Sequence, residues 1–249
     1  MAQFSNFTNI LPDPNNSIGW AGQSTTSSSS GGAAGPGFAA VTLTSQQPTI
    51  RDVTNSGRIL GRAIAAHKWN IKITYNPMTR AEFDPIYTFL LGRRGPLNPF
   101  YVSLPQYRVP KDSTFATYAA SNNLEVASGA GTGAGNTSLN ITQTGYSIST
   151  NSHPKPGDLF TFNATNSNHK KAYMVTKVQT PTDYQGSSAP ASNHLVIDFI
   201  PSLSKAVVSG DELVFHNPLV KVIMVGDVQE YSLNTQNLYS FSLNLEEVQ

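Results

Sequence analysis

"WNIKITYNPMTRAEFDPIYTFLLGRRGPLNPFYVSLP", residues 69–105, is the stretch on which the fold turns. Trp69, Ile71, Ile73 and Tyr75 alternate with Asn70, Lys72 and Thr74, the two-residue period of a strand with one buried face. The period then changes. Phe83, Ile86, Tyr87, Leu90 and Leu91 fall at i, i+3, i+4, i+7 and i+8, one face of a helix. Two starts fit: Thr79 with Glu82 as a capping box, or Asp84 as the cap with Pro85 at the first helical position. Pro85 inside a helix removes a hydrogen bond at about 3 kcal/mol. The favoured reading is a turn of helix, a local adjustment, then a main helix from about Pro85 to Leu91, stopped by Gly92. Phe100, Val102 and Leu104, bracketed by Pro99 and Pro105, predict a short strand near a sheet edge.

Outward from this unit the chain changes character twice. Residues 1–21 are irregular and "GQSTTSSSSGGAAGPG" (22–37) is low-complexity, so residues 1–37 are expected to form a flexible arm. From Phe38 onward Val41 and Leu43 alternate, an "NSG" turn signal follows at 55–57, and a second β-type run comes after it. Between Lys111 and Asn217 lie six short β runs, "NLEVAS", "TSLNIT", "GDLFTFN", "KAYMVTKV", "HLVIDFI" and "DELVFH", separated by Gly-, Ser- and Asn-rich turns. Six such runs predict a small sandwich or barrel. After Pro218 comes an apolar strand, a Gly226-Asp227 turn, and a last strand in which Tyr239, Phe241, Leu243 and Leu245 alternate with Ser240, Ser242 and Asn244. That last strand needs neighbours. The economical arrangement joins 38–110 with 218–249 in one β domain and inserts 111–217 as a second.

Composition excludes several functions. Charged residues are 12%, against roughly 25% in typical soluble domains. A formal charge of +1 offers no electrostatic footprint for sequence-specific nucleic-acid binding or an anionic membrane. The absence of cysteine removes disulfides, thiolate metal sites and a Cys nucleophile together. The start "MAQFSNFTNILPDPNNSIGW" lacks a signal-peptide pattern, and no window approaches 18 consecutive apolar residues, so neither standard secretion nor a membrane span is expected. His67, His153, His169, His194 and His216 show no metal-site spacing. "GAGTGAG" (129–135) lacks both the dinucleotide frame and a following helix, and reads as a loop. Asp198, in "LVIDFI", fits an outward position on an alternating strand. No catalytic, cofactor or metal site is expected. The candidate residues are instead for subunit contact: Phe89 and Tyr101, which fall off the alternating faces; the basic pair Arg93 and Arg94 after the helix; and the acidic pair Glu246 and Glu247. For the arginines the alternative is neutralising helix C-terminal carbonyls, and for the glutamates a solvated charge pair.

The run from "RDVTNSGRILGRAIAAHKWNIKITYNPMTRAEF" to "FYVSLP", with the terminal "YSFSLNLEEV", resembles the distal tail or baseplate hub proteins of tailed phages. The matching features are Trp69–Tyr75, Met78–Gly95 and Phe100–Pro105, with further landmarks at Gly157–Phe160, Tyr173–Thr176 and Ile200–Leu203. The resemblance spans about residues 48–248 and is structural in kind. It implies a mainly β fold, a tail-tube-like split β-barrel with one packed helix plus an inserted small β domain. It also implies a ring of six in the virion tail tip or baseplate, assembled in the host cytoplasm, with tail-tube and baseplate or tail-fibre proteins as partners and no enzymatic activity. A closed ring needs a head-to-tail interface, which a polar arm ordering on its neighbour would suit. A carbohydrate-binding module for host attachment is the alternative, because the 111–217 segment is polar, β-rich and supplied with Tyr and Asn.

Overall fold

The structure is a computed structural model and describes residues 9–14, 35–63, 67–127, 132–163, 169–184, 191, 193–226 and 230–248. In chain order the elements are β1 (Phe38–Gln46), β2 (Thr49–Val53), β3 (Ile59–Ala63), β4 (Lys68–Tyr75), α1 (Arg80–Arg93), β5 (Phe100–Ser103), α2 (Ser113–Ala119), β6 (Leu124–Val126), β7 (Ser138–Thr142), α3 (Ile148–Asn151), β8 (Leu159–Asn163), β9 (Ala172–Gln179), β10 (Leu195–Ile200), β11 (Glu212–Val214), β12 (Leu219–Met224), β13 (Ser232–Leu233), β14 (Tyr239–Ser240) and β15 (Ser242–Glu247). They form two compact units: the described parts of 1–47, 68–102 and 221–248, and those of 48–67 and 103–220.

The first unit is built on a half-barrel sheet in the order β1-β4-β15-β12-β5. Alternation in β4 works as its sequence demands: Trp69, Ile71, Ile73 and Tyr75 are buried, while Lys68 and Lys72 are exposed. β15 runs antiparallel to β4, with Leu243 opposite Ile73 and Leu245 opposite Ile71, so the two apolar rows share one face. Phe83, Ile86, Phe89 and Leu90 of α1 are buried as well. At the far edge, residues 9–11 lie along β5: Tyr101 N–H donates to Asn9 O (2.6 Å) and Leu11 N–H to Tyr101 O (2.8 Å). This part of the expected N-terminal arm is therefore bound to the sheet; residues 1–8 and 15–34 lie outside the described residues. Gly35 closes on the same segment. A Cβ there would stand 2.6 Å from the Pro12 carbonyl carbon, so only glycine fits.

Three expectations about α1 are corrected. It is one helix from Arg80, capped by Thr79, whose N–H and hydroxyl both donate to Glu82 Oε2 at 2.8 Å. Pro85 sits inside it. The cap and a four-residue apolar stripe outweigh the one bond lost, and Ala81, whose carbonyl loses that donor, is exposed. Gly92 does not end the helix. Arg94 does, in the left-handed conformation (φ 57°), donating its N–H to Leu91 O at 3.1 Å. The buried stripe also takes Phe89 in place of Leu91, which is exposed.

In the second unit all six expected β runs form strands, and they close into a barrel in the order β10-β7-β6-β11-β8-β9. Phe160, Phe162, Tyr173, Ile197, Phe199 and Phe215 are among the residues that fill it. Asp198 lies on the partly exposed face of β10, as its alternation predicts. Two helices were not anticipated. α2 is capped by Asp112, which accepts from Phe115 N–H at 2.9 Å, and buries Phe115 and Ala119; α3 is a single turn. Among the described residues the strands β2 and β3 pair only with each other, Ile50 opposite Arg62 and Val53 opposite Ile59, joined by a turn in which Gly57 takes φ 79°.

Candidate functional site

The six residues expected at a subunit interface divide by location. Phe89 and Glu247 are 5% and 2% exposed, committed inside the chain: Phe89 meets the ring of Phe100 edge-on at 5.5 Å, and Glu247 Oε2 accepts from Trp69 N–H at 3.4 Å. Glu246 pairs with Lys68 across the sheet. Arg93 lays its guanidinium over the Phe89 ring at 4.9 Å and donates to Asn9 Oδ1 at 2.8 Å; burial pushes its pKa below the usual arginine value. Tyr101 holds the same Asn9 through its backbone. Arg93 and Tyr101 thus converge on the N-terminal segment, with Phe89 beneath the Arg93 guanidinium, whereas Arg94 is exposed. The cation is spent on fixing that segment, a use that the doublet's place after a helix did not signal.

The β2–β3 hairpin is the other extreme. Ile50, Val53, Ile59 and Leu60 are all about half exposed. Strand pairing sets Val53 and Ile59 on one face and Leu60, beside Asp52, on the other together with Ile50 and Arg62, so both faces carry apolar surface. Arg51, Arg58 and Arg62 against Asp52 make the hairpin cationic. An isolated two-stranded ribbon is marginal in water, and bare Ile and Leu on both faces mark a surface built to be covered.

A groove of about 600 Å³ opens in the sheet unit, between the polar edge of β15 (Ser242, Asn244) and a wall formed by Tyr231 and Phe241, with Glu230 at its rim. Its aromatic wall is braced from behind. Phe83 of α1 stacks on Tyr239 at 4.6 Å and contacts Tyr231 at 5.0 Å, while Tyr75 stacks on Phe241 at 6.1 Å. Glu230 and Tyr231 precede a two-residue strand and share no period with their neighbours, so no sequence pattern singled them out. A second groove, about 580 Å³, lies in the barrel unit between α2 and α3 and is lined by hydroxyl and amide side chains including Thr117, Ser121, Asn122 and Asn151, with Tyr118.

The buried polar groups serve the barrel unit itself. Lys171, 2% exposed, donates to the His67 carbonyl at 2.9 Å. His169 Nε2 meets the Tyr173 hydroxyl at 2.5 Å, and that hydroxyl also accepts from Ser204 N–H at 3.2 Å. Burial, reinforced by Lys205, pushes His169 down to about 4; burial and Lys171 do the same for His67. Among the described residues no group of three or more His, Asp or Glu is placed to hold a metal ion.

Residues 29–107 match the family described as "Distal tail protein pb9, A domain, N-terminal". Over 215 residues the chain is 27% identical to the distal tail protein pb9 of Escherichia phage T5, covering 86% of this chain and 93% of that protein. The chain is similar to phage distal tail proteins. That similarity supports a structural role in a virion tail. The distal tail match at 29–107 takes in β1, the hairpin, β4, α1 and β5, and the longer similarity is too extensive to leave the barrel unit out.

Proposed function

We propose that the protein forms a homo-oligomeric ring, of six copies, at the end of the tail tube, joining it to the host-recognition apparatus without itself catalysing a reaction. The observation that carries this reading is the β2–β3 hairpin, whose four large apolar side chains are accessible on both faces of a ribbon that pairs with no other strand among the described residues. Apolar surface of this extent marks a site for contact with another chain. β1 adds to this: it is nine residues long and ends the five-strand order, so among the described residues one of its edges has no strand partner. Arg94 and Glu246 remain proposed as further contact residues, because both are at least partly accessible. Kinship with distal tail proteins supplies the setting.

Particle mass across a concentration series tests the reading. The full chain is expected to give a species about six times 26.8 kDa, and the Ile50→Asp/Leu60→Asp double variant to stay monomeric. Monomers of the unaltered chain at every concentration, with no capture onto purified tail tubes, would sink it. A second reading rests on the α2–α3 groove, whose hydroxyls and amides suit a neutral saccharide on the host surface. Binding of glycans by the full chain, lost on Asn122→Ala with Thr117→Ala, would support that role beside the structural one; silence on a broad glycan array would remove it.

A further inference from the structure

Lys171 is 2% exposed, although lysine is almost never fully buried unless it is paired. Burial strips the ammonium of water, which is tolerated when oxygens of the chain take the water's place. Here one such oxygen lies 104 residues away along the chain: Nζ donates to the main-chain carbonyl of His67 at 2.9 Å. His67 is buried as well, and burial together with Lys171 holds its pKa down to about 4, so its ring is uncharged at neutral pH. The lysine is fixed from both sides. Two residues before it His169 meets the Tyr173 hydroxyl; two residues after it Tyr173 is fully buried, and that hydroxyl accepts from Ser204 N–H at 3.2 Å. Between them Ala172 pairs with Thr161 of β8 in the closed barrel. A well-held barrel strand thus grips a carbonyl that belongs to none of the barrel strands.

We infer that Lys171 is the pin that sets where the β2–β3 hairpin stands on the barrel unit. The inference rests on the hairpin's role as a contact surface proposed above. β3 ends at Ala63 and His67 follows four residues later, a length of chain that spans at most about 14 Å. Holding the His67 carbonyl therefore holds the exit of the hairpin near the start of β9. Residues 48–67 group with the barrel in one compact unit, as such a tie requires. Strand pairing does not supply the position: among the described residues the ribbon pairs with no other strand, and two strands alone are marginal in water. A hairpin whose exit is fixed presents its exposed apolar side chains already in place, which lowers the ordering cost when another chain covers them. Because the acceptor is backbone, the pin depends on the donor at 171 and not on the imidazole at 67.

The chain has no cysteine, so spin labels on Asn55→Cys, in the exposed hairpin turn, and Ser121→Cys, exposed on the barrel unit, report the hairpin's position without background. Labelled full-length chains are diluted into unlabelled ones, which removes distances between copies. One narrow distance distribution is expected. Adding Lys171→Met, which keeps an unbranched apolar chain in the barrel, is expected to broaden it at least about twofold while the barrel's thermal transition is retained, and to raise the dissociation constant of the oligomer about tenfold. Lys171→Gln, a shorter donor, should fall between the two, and His67→Ala, which keeps the carbonyl, should stay narrow. A distribution that Lys171→Met leaves narrow overturns the pin. Loss of the barrel transition in the Met and Gln variants alike also overturns it, because the lysine then serves the barrel core. Broadening in chains that never assemble, on or off tail tubes, upholds the pin and overturns the ring.

Discussion

His169 shows how one residue's surroundings set a property of the whole barrel unit. Its ring is buried against Phe162 at 4.8 Å and bonded to Tyr173, with Lys205 and Lys171 adding positive potential and Asp211 partly opposing them. The folded-state value near 4 lies below the 6.5 of the free side chain, so the unfolded chain takes up the proton first. Stability from His169 is therefore fully present above about pH 6.5 and is lost as the pH falls toward 4; His67 acts in the same direction over the same window. Denaturant unfolding at intervals from pH 7.5 to 4 should show a decline on the order of 2 kcal/mol attributable to His169. His169→Gln should flatten that slope while costing about 1–2 kcal/mol at pH 7.5, because the buried contact with the Tyr173 hydroxyl is disturbed. A slope unchanged by the substitution would assign the acid response elsewhere. A histidine's burial could not be read from the sequence: His169 precedes β9 and shares no period with the strand it packs on, unlike Asp198, whose outward direction its alternating neighbours fixed.

At the scale of elements, α1 weighs a cap against a proline. The carboxylate of Glu82 is held below its ordinary pKa by the Thr79 backbone and hydroxyl, consistent with a cap that is charged at neutral pH. Thr79→Ala should cost about 1 kcal/mol. Pro85→Ala should do the reverse, raising stability by about 1–3 kcal/mol, since it restores the N–H that Ala81 O lacks. Thermal unfolding of the two variants checks both, and a proline variant less stable than the parent would show that the ring itself packs. Element identity was legible wherever two periods met, as in β4, α1 and β15, and in the six barrel strands, because alternation and 3.6-residue spacing report burial directly. Ends were not. A left-handed Arg94 does the work that Gly92 was expected to do, and α2 went unnoticed although Asp112 three residues before Phe115, with Tyr118 and Ala119 after it, carried a cap and an apolar face. Seven residues amid Ser and Thr are too few for the period to stand out.

For the molecule as a whole, the sequence shows repeated strands but says little of which surfaces remain uncovered. Phe89 was chosen for falling outside a pattern and Glu247 as half of a terminal acidic pair, yet both are buried within the chain, while Glu230, Tyr231 and the hairpin are accessible through tertiary packing that no local period encodes. Domain organisation is the property most open to a direct test. The structure divides the chain at residues 103 and 220, where the sequence reading used Pro110 and Pro218, and groups the hairpin with the barrel. The barrel has its own core and a closed strand order with no open edge. Its two ends are tied: Ser103 Oγ donates to Asn217 Oδ1, and Asn217 N–H donates to Arg108 O at 2.7 Å. A fragment of residues 103–220 is therefore expected to fold alone, showing β-type circular dichroism, one cooperative thermal transition and dispersed amide resonances. Lacking the hairpin, it should also stay monomeric at concentrations where the full chain assembles. A fragment that folds and still assembles would move the subunit contact into the barrel. One that remains unfolded would show that the barrel core depends on residues outside 103–220.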